Sequence, residues 1–553
     1  MTVPRKPSHP DSRFSLYERT VEFEGRSALS ILARTVFFLT LFFFLIVLAV
    51  FTNLRLARAD DCYAAPYNCV LSGDIDPATN RSYEDLYTAY ANFAWDDFIA
   101  LNFPALTDNR GNPVAEPSPT FGLDHNGGDY ISVWQVYPEA RDIFLDGGVR
   151  PPPFNSGHVL PAVCPRFDND GGNQALSRKL NVLDEYIQAN RMGPIIDRNG
   201  HYARFGINFN RVIYDYIVEN ELYNREGQEA FDAHDPDRNS SPVDWPRGVH
   251  SPDKDPAKVG SVMVKASWKI LTTADDPSKY YRSRAYIYEK VGGAFHDEPT
   301  VVEACRVEIV GLVGLHIVHR TNSSPIWVWS TFEHADNAPW LVDFARGTPQ
   351  GKYDYFDPRT CPSANAVPSC VFNDQPPRPW NPQRAADANP RQMIRLAAPG
   401  KVAQIVNGNY REKLRQAYPR GTVWENYFLT DVQFPTVVRM VDAGSGLAEI
   451  NPAYPDALPS PTFLANTTLE TYIQGFYRGQ QTTNGNLIPA SDQMQNVIVN
   501  GGTVDPFAVS IFNHSGGAQR NSSSCVGCHG DSAMLTGASA NFLFSLNRAQ
   551  PKN

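Results

Sequence analysis

The chain has 553 residues, 42% of them hydrophobic and 20% charged, with a formal net charge of −10. This composition is that of a globular protein and excludes a wholly disordered one, while the acidic balance without a basic cluster argues against a nucleic-acid surface. The 44 prolines and 38 glycines predict many turns and long surface loops rather than a helical bundle.

Residues 1–34 read as a polar cytoplasmic tail. Residues 35–54 contain no charged side chain, and a helix of that length spans about 30 Å, the thickness of bilayer hydrocarbon. Arg5, Lys6, Arg13, Arg19, Arg26 and Arg34 precede the run, so the positive-inside rule keeps the N-terminus cytoplasmic and exports the rest. The expectation is a single-pass anchor in a bacterial inner membrane with the C-terminal region periplasmic. Ala57-Arg58-Ala59 resembles a signal-peptidase site, so a chain cleaved after Ala59, periplasmic or secreted, is the competing reading. Of the 8 cysteines, Cys62, Cys69, Cys164, Cys305, Cys361 and Cys370 lie outside the motif described below. An even number in an exported chain predicts disulfides. Short separations suggest Cys62–Cys69 and Cys361–Cys370, leaving Cys164–Cys305 to close a long loop worth roughly 4 kcal/mol.

Residues 83–102 have apolar positions at helical spacing, stopped by Pro104. Residues 129–137 alternate like a strand, and 210–224 form a second amphipathic helix. Residues 231–257 are polar and loop-like. Four β-branched, aromatic runs follow, at 261–271, 284–289, 307–320 and 326–333; their close spacing predicts an antiparallel meander as the core of the middle region. Residues 354–389 are irregular, and short helices are expected near 409–416, 423–429 and 467–477. The fold class is α+β, with an exported α+β region over 60–460 and a C-terminal segment, 461–553, packed on it.

That last segment contains Cys525-Val526-Gly527-Cys528-His529, the attachment pattern of a c-type haem. Cys525 and Cys528 would form thioethers with the porphyrin and His529 would supply the proximal imidazole. No second Cys-x-x-Cys completes a four-thiolate zinc site. Only 24 residues follow His529, too few for a stand-alone small cytochrome c domain, so earlier parts of the chain must enclose the one haem. Met534 is too close along the chain to reach the opposite face; Met494 and His514 are the candidate distal ligands.

A second polar constellation, His316, His319, Glu333 and His334, sits in two otherwise apolar runs. In extended strands His316 and His319 point to opposite faces, so they cannot bind one metal together. Trp327, Trp329, Thr331 and Glu333 share one face of the second strand; Val328, Ser330, Phe332 and His334 share the other. One histidine of the first strand with Glu333 or His334 could line a pocket, which makes His316, Glu333 and His334 the candidate catalytic residues. The alternative is that they are hydrogen-bonded sheet residues.

The run 311–339 (GLVGLHIVHRTNSSPIWVWSTFEHADNAP), with AWDDFIALNFP at 94–104 and VKASW at 264–268, resembles a group of large bacterial exported proteins of the cytochrome c family that end in a single haem-attachment motif. The resemblance implies an exported haem protein, carries over Cys525, Cys528 and His529 as its haem-binding residues, and brings no substrate. Two functions are expected from the haem: a membrane-associated electron carrier serving a redox partner protein, or a haem-dependent oxidoreductase with an open distal position acting on a small molecule.

Overall fold

The computed structural model describes residues 69–76, 83–109, 112–166, 180–189, 192–233, 243–291, 302–324, 326–341, 343, 351–361, 372–377, 380–382, 392–396, 398–434, 464–472, 474, 525, 529 and 532–553. The tail, the apolar run at 35–54, Cys62, Cys370, Cys528, Met494 and His514 lie outside these residues.

The fold is α+β. Helix α1 (Tyr83–Asn102) leads into a small antiparallel ribbon of β1 (Ala105–Thr107) and β2 (Pro113–Pro117). After the four-residue α2 (Ala140–Ile143) come β3 (Val182–Leu183), β4 (Arg204–Phe209), α3 (Arg211–Glu219) and α4 (Arg225–Asp232). The remaining strands are β5 (Val262–Ile270), β6 (Arg282–Val291), β7 (Val302–His319) and β8 (Val328–His334); α5 (Lys401–Ala417) and β9 (Tyr427–Gln433) follow. Among the described residues β3 to β9 form one sheet.

β7 is its axis. One edge pairs with β5 from Val310 to His319. The other edge pairs first with β6 over Val302–Gly311 and then with β8 over Gly314–His319. Its second half is Val-, Leu- and Ile-rich and buried on both faces, as a central strand covered on each side must be. α1 covers one face: Phe98 stacks on Phe332 with centroids 4.1 Å apart, and Trp95 stacks on Tyr410 of α5 at 5.1 Å. Segments 464–474 and 392–396 cover the other. There Gly314 is required, because a Cβ would stand 2.3 Å from Thr468 Oγ1.

The expected helix at 83–102 and the four antiparallel strands are found, but the strands are not a meander, because β7 inserts between β5 and β6. The expected strand at 129–137 is not: Val133–Val136 is a 3-10 turn. Polar side chains decide this, since Gln135 Oε1 accepts from Ser132 N at 3.1 Å and Trp134 Nε1 donates to Asn102 Oδ1 at 2.9 Å. The helix expected at 210–224 is shorter, ending at Glu219, and a separate helix starts just beyond the expected span; Asn210 and Asn224 cap the two starts, accepting from Ile213 N and Gly227 N. The helix expected at 423–429 is a 3-10 turn running into β9, whose aromatic and β-branched residues complete the sheet beyond β8.

The membrane anchor is corrected. Among the described residues no helix is long and apolar enough to cross a membrane; the longest, α1, carries Glu84, Asp85, Asp96 and Asp97 and is committed to the sheet. The expected transmembrane helix is thus not found among the described residues, and the run at 35–54 on which the inner-membrane and periplasmic placement rested lies outside them.

Cys164 and Cys305 form the expected disulfide across 141 residues. Cys69 and Cys361 are also disulfide-bonded. Replacing Cys164 and Cys305 together by alanine should lower the unfolding free energy by about 4 kcal/mol, read from urea denaturation with and without reductant; a reductant-insensitive wild type would contradict the cross-link.

Candidate functional site

Strand alternation separates the two histidines of β7. His319 faces α1, with Nδ1 2.7 Å from Asp97 Oδ2. His316 faces the other way. Its Nε2 lies 2.8 Å from Glu470 Oε1 and its Nδ1 2.5 Å from Thr331 Oγ1. Burial alone would raise Glu470, but His316 and Lys265 outweigh it and hold the carboxyl below its usual range. Lys265, His316 and Thr331 stand opposite one another on β5, β7 and β8, so all three share this face.

β8 divides in the same way. His334 lies on the α1 side, stacked on Tyr280 at 4.4 Å. Its Nε2 donates to Lys279 O at 3.0 Å and its Nδ1 accepts from Asp336 N at 3.2 Å. Burial lowers its pKa, so the ring is neutral with both nitrogens engaged. Glu333 is on the His316 side, yet its oxygens are fully used: Oε2 accepts from Arg395 Nε at 2.8 Å and Thr467 Oγ1 at 2.6 Å, and Oε1 from Thr467 N at 2.7 Å. It clamps segment 464–474 and Arg395 onto the sheet.

The C-terminal segment brings a further histidine to this face. Cys525 and His529 are both helical and one turn apart. The His529 ring is 4.6 Å from the Trp329 ring and 5.0 Å from that of Phe544. Its Nδ1 donates to the carbonyl of Phe542 at 2.8 Å. Burial drives its pKa down to about 4 against that hydrogen bond, and Lys265, His316 and Glu470 are the charged groups it feels. A neutral imidazole whose Nδ1–H is anchored to a backbone carbonyl presents Nε2 as a lone pair, the arrangement found in metal-ligating histidines.

No family model matches the chain, and no curated protein or solved structure does either. The functional reading rests on this geometry and on the motif.

His316, Glu333, Trp329 and His529 are therefore on one face, and His319 and His334 on the other. Met534, buried at 2% exposure, packs within the C-terminal turn. The sequence reading missed Glu470, Asp97 and Lys265. Asp97 had a signal, an acid in the midst of the apolar positions of α1; Glu470 had none, because its partner is 154 residues away.

Another cluster, Glu139, Asp142 and His158, presents ligand-type atoms within 4.8 Å of one another. These atoms are already committed: His158 Nδ1 is 2.7 Å from Asp142 Oδ2, Asp142 Oδ1 accepts from Val159 N at 2.7 Å, and Glu139 Oε1 accepts from Asn181 Nδ2 at 2.7 Å. It is a buried ion-pair network. Burial would lower His158, but Glu139 and Asp142 overcome it and raise the imidazole to about 9.

Two outcomes follow from these networks. A raised folded-state histidine stabilises fully below its ordinary pKa of about 6.5 and loses that contribution as pH climbs through about 9. Wild type should therefore lose about 3 kcal/mol between pH 6 and pH 9.5 from this group, and His158→Gln should flatten that loss in urea titrations. Glu333→Ala, which strands buried Arg395, should cost ~3–5 kcal/mol by the same measurement; a change under about 1 kcal/mol would remove the clamp from the account.

Proposed function

We propose that the chain is a monohaem c-type cytochrome that passes electrons to or from a redox partner protein. The observation that carries this reading is the anchoring of His529 Nδ1 to Phe542 O, within a Cys-x-x-Cys-His motif. Cys525, Cys528 and His529 would hold the haem, which supplies reversible one-electron chemistry when bound. The chain's own contribution is the fixed orientation of the imidazole and its aromatic contacts with Trp329 and Phe544, with Phe542 lying against Trp329.

A second reading, a haem-dependent oxidoreductase acting on a small molecule, is favoured by one feature. The His316–Glu470 pair is a part-buried imidazole–carboxylate pair on the same face as His529, of the kind that serves general acid–base chemistry.

Full-length protein made with a c-haem maturation system should show a Soret band and a pyridine haemochrome of one haem per chain. Cys525→Ala with Cys528→Ala should abolish covalent attachment, and His529→Ala should change the axial-ligand spectrum. Wild-type protein of apopeptide mass under those conditions would refute the reading. A low-spin spectrum indifferent to carbon monoxide supports the carrier; a high-spin ferric spectrum that shifts with added ligands, together with turnover lost in His316→Gln, supports the oxidoreductase.

A further inference from the structure

The carbonyl that accepts from His529 Nδ1 belongs to a backbone turn of an uncommon kind. Asn541 and Phe542 are consecutive non-glycine residues with φ 48 and φ 74. Asparagine tolerates left-handed backbone, but for a bulky residue such as Phe542 it is a conformation that the surroundings must enforce. Any other conformation at these two positions would turn the Phe542 peptide and carry its oxygen away from His529 Nδ1, now 2.8 Å distant.

Bonds from two directions close on this turn. Within the C-terminal segment, Asn541 N donates to Ser539 Oγ at 3.2 Å. Ala540 N donates to Ser532 O at 2.9 Å, and Ser532 N donates to His529 O at 3.0 Å, so the loop returns to the residue whose ring it orients. The second direction is a strap from the middle of the chain, in which Val243 and Trp245 are fully buried. Asn541 Nδ2 donates to Val243 O at 2.7 Å, and Trp245 Nε1 donates to Ala540 O at 3.2 Å. The strap is fastened to the sheet, since Pro246 O accepts from Ser261 N and Gly248 N donates to Arg320 O just past the end of β7, both at 3.0 Å. The side chain of Asn541 thus ties the turn to the sheet across 298 residues of sequence.

We infer that Asn541 is a positioning residue for His529. Its bond to the Val243 carbonyl and its tolerance of left-handed backbone aim the Phe542 carbonyl at Nδ1, and so fix the tautomer that leaves Nε2 as the ligand atom. Asparagine meets both demands, because its amide supplies an N–H donor and its short polar side chain accepts a positive φ. Alanine meets neither, and glycine meets the second alone. The inference rests on the haem reading of the preceding subsection and adds which side chain sets the orientation of the proximal imidazole.

The test uses full-length haem-loaded protein, wild type beside Asn541→Ala and Asn541→Gly. Each should hold one haem per chain by pyridine haemochrome. In Asn541→Ala the Nδ1 proton of His529, followed by NMR, should exchange with solvent about tenfold faster than in wild type, the net worth of one hydrogen bond. The midpoint potential should rise, because an imidazole with a weaker Nδ1–H bond is a less basic ligand to the oxidised iron. Asn541→Gly should lie between, since it regains the backbone conformation and not the amide bond. An asparagine that only stabilises the fold would lower the unfolding midpoint and move neither reading. Wild-type exchange and potential in Asn541→Ala therefore overturn the inference and leave the haem reading standing. Should Asn541→Ala not fold, Asn541→Gly decides by the same two readings: wild-type values overturn the inference, and faster exchange with a raised potential upholds it. Absence of haem from wild type refutes the haem reading instead, and the tautomer of His529 in that same chain, read from its ring-nitrogen shifts, then decides. Nδ1–H in wild type giving way to a mixture with Nε2–H in Asn541→Ala upholds the positioning role; one tautomer in both proteins overturns it.

Discussion

The alternation of side chains along β7 is the constraint on which the rest of the molecule depends. One strand sends His319, Ile317 and Leu315 toward α1 and His316, Val318 and Arg320 toward the opposite face. A slip of one residue would exchange every one of these. The slip is blocked at one end of the strand pair. Gly314 admits Thr468 and Asn466 where no other residue leaves room, and Asn337 Nδ2 holds the Val313 carbonyl at 2.7 Å. Asp97 fixes His319 from α1 on one side while Glu470 fixes His316 on the other. Register thereby becomes a statement about chemistry, since it decides which polar groups reach the C-terminal histidine.

Much of this was legible in one dimension because it follows from periodicity. The four antiparallel strands and α1 show their pattern over many residues, and the opposition of His316 and His319 is a consequence of a period of two. The failures have a different origin. Residues 129–137 alternate like a strand, yet Gln135 and Ser132 satisfy the backbone locally and bend it into a turn. Residues 427–433 continue a 3-10 turn without punctuation, and only the open edge of β8 makes them a strand. The partners Glu470, Asn466 and Arg395 were invisible, because contacts across 62 to 154 residues leave no trace in local spacing. Asn541 and Phe542 were in view as letters, but their left-handed backbone is a property of the folded chain alone.

Charge on the two faces is balanced to different degrees. His158 is enclosed by Glu139 and Asp142, with its contacts supplied by the chain. Glu333 and Arg395 likewise close upon each other, with Trp340 and Phe428 stacked on the guanidinium at 4.8 and 5.1 Å. Such pairs are complete without a ligand. Removing either partner exposes the cost, and adding a third charge would gain little.

Around His529 the charged groups come from several elements at once. Lys265, in cation–π contact with Phe205 at 5.9 Å, shares this face with His316 and with Glu470, 2.8 Å from that imidazole, while among the described residues the carboxylate on Arg320 is that of the exposed Asp244. Desolvated charge of one sign is expensive unless something of the other sign meets it, and here the strand register brings the two signs to one side of the sheet.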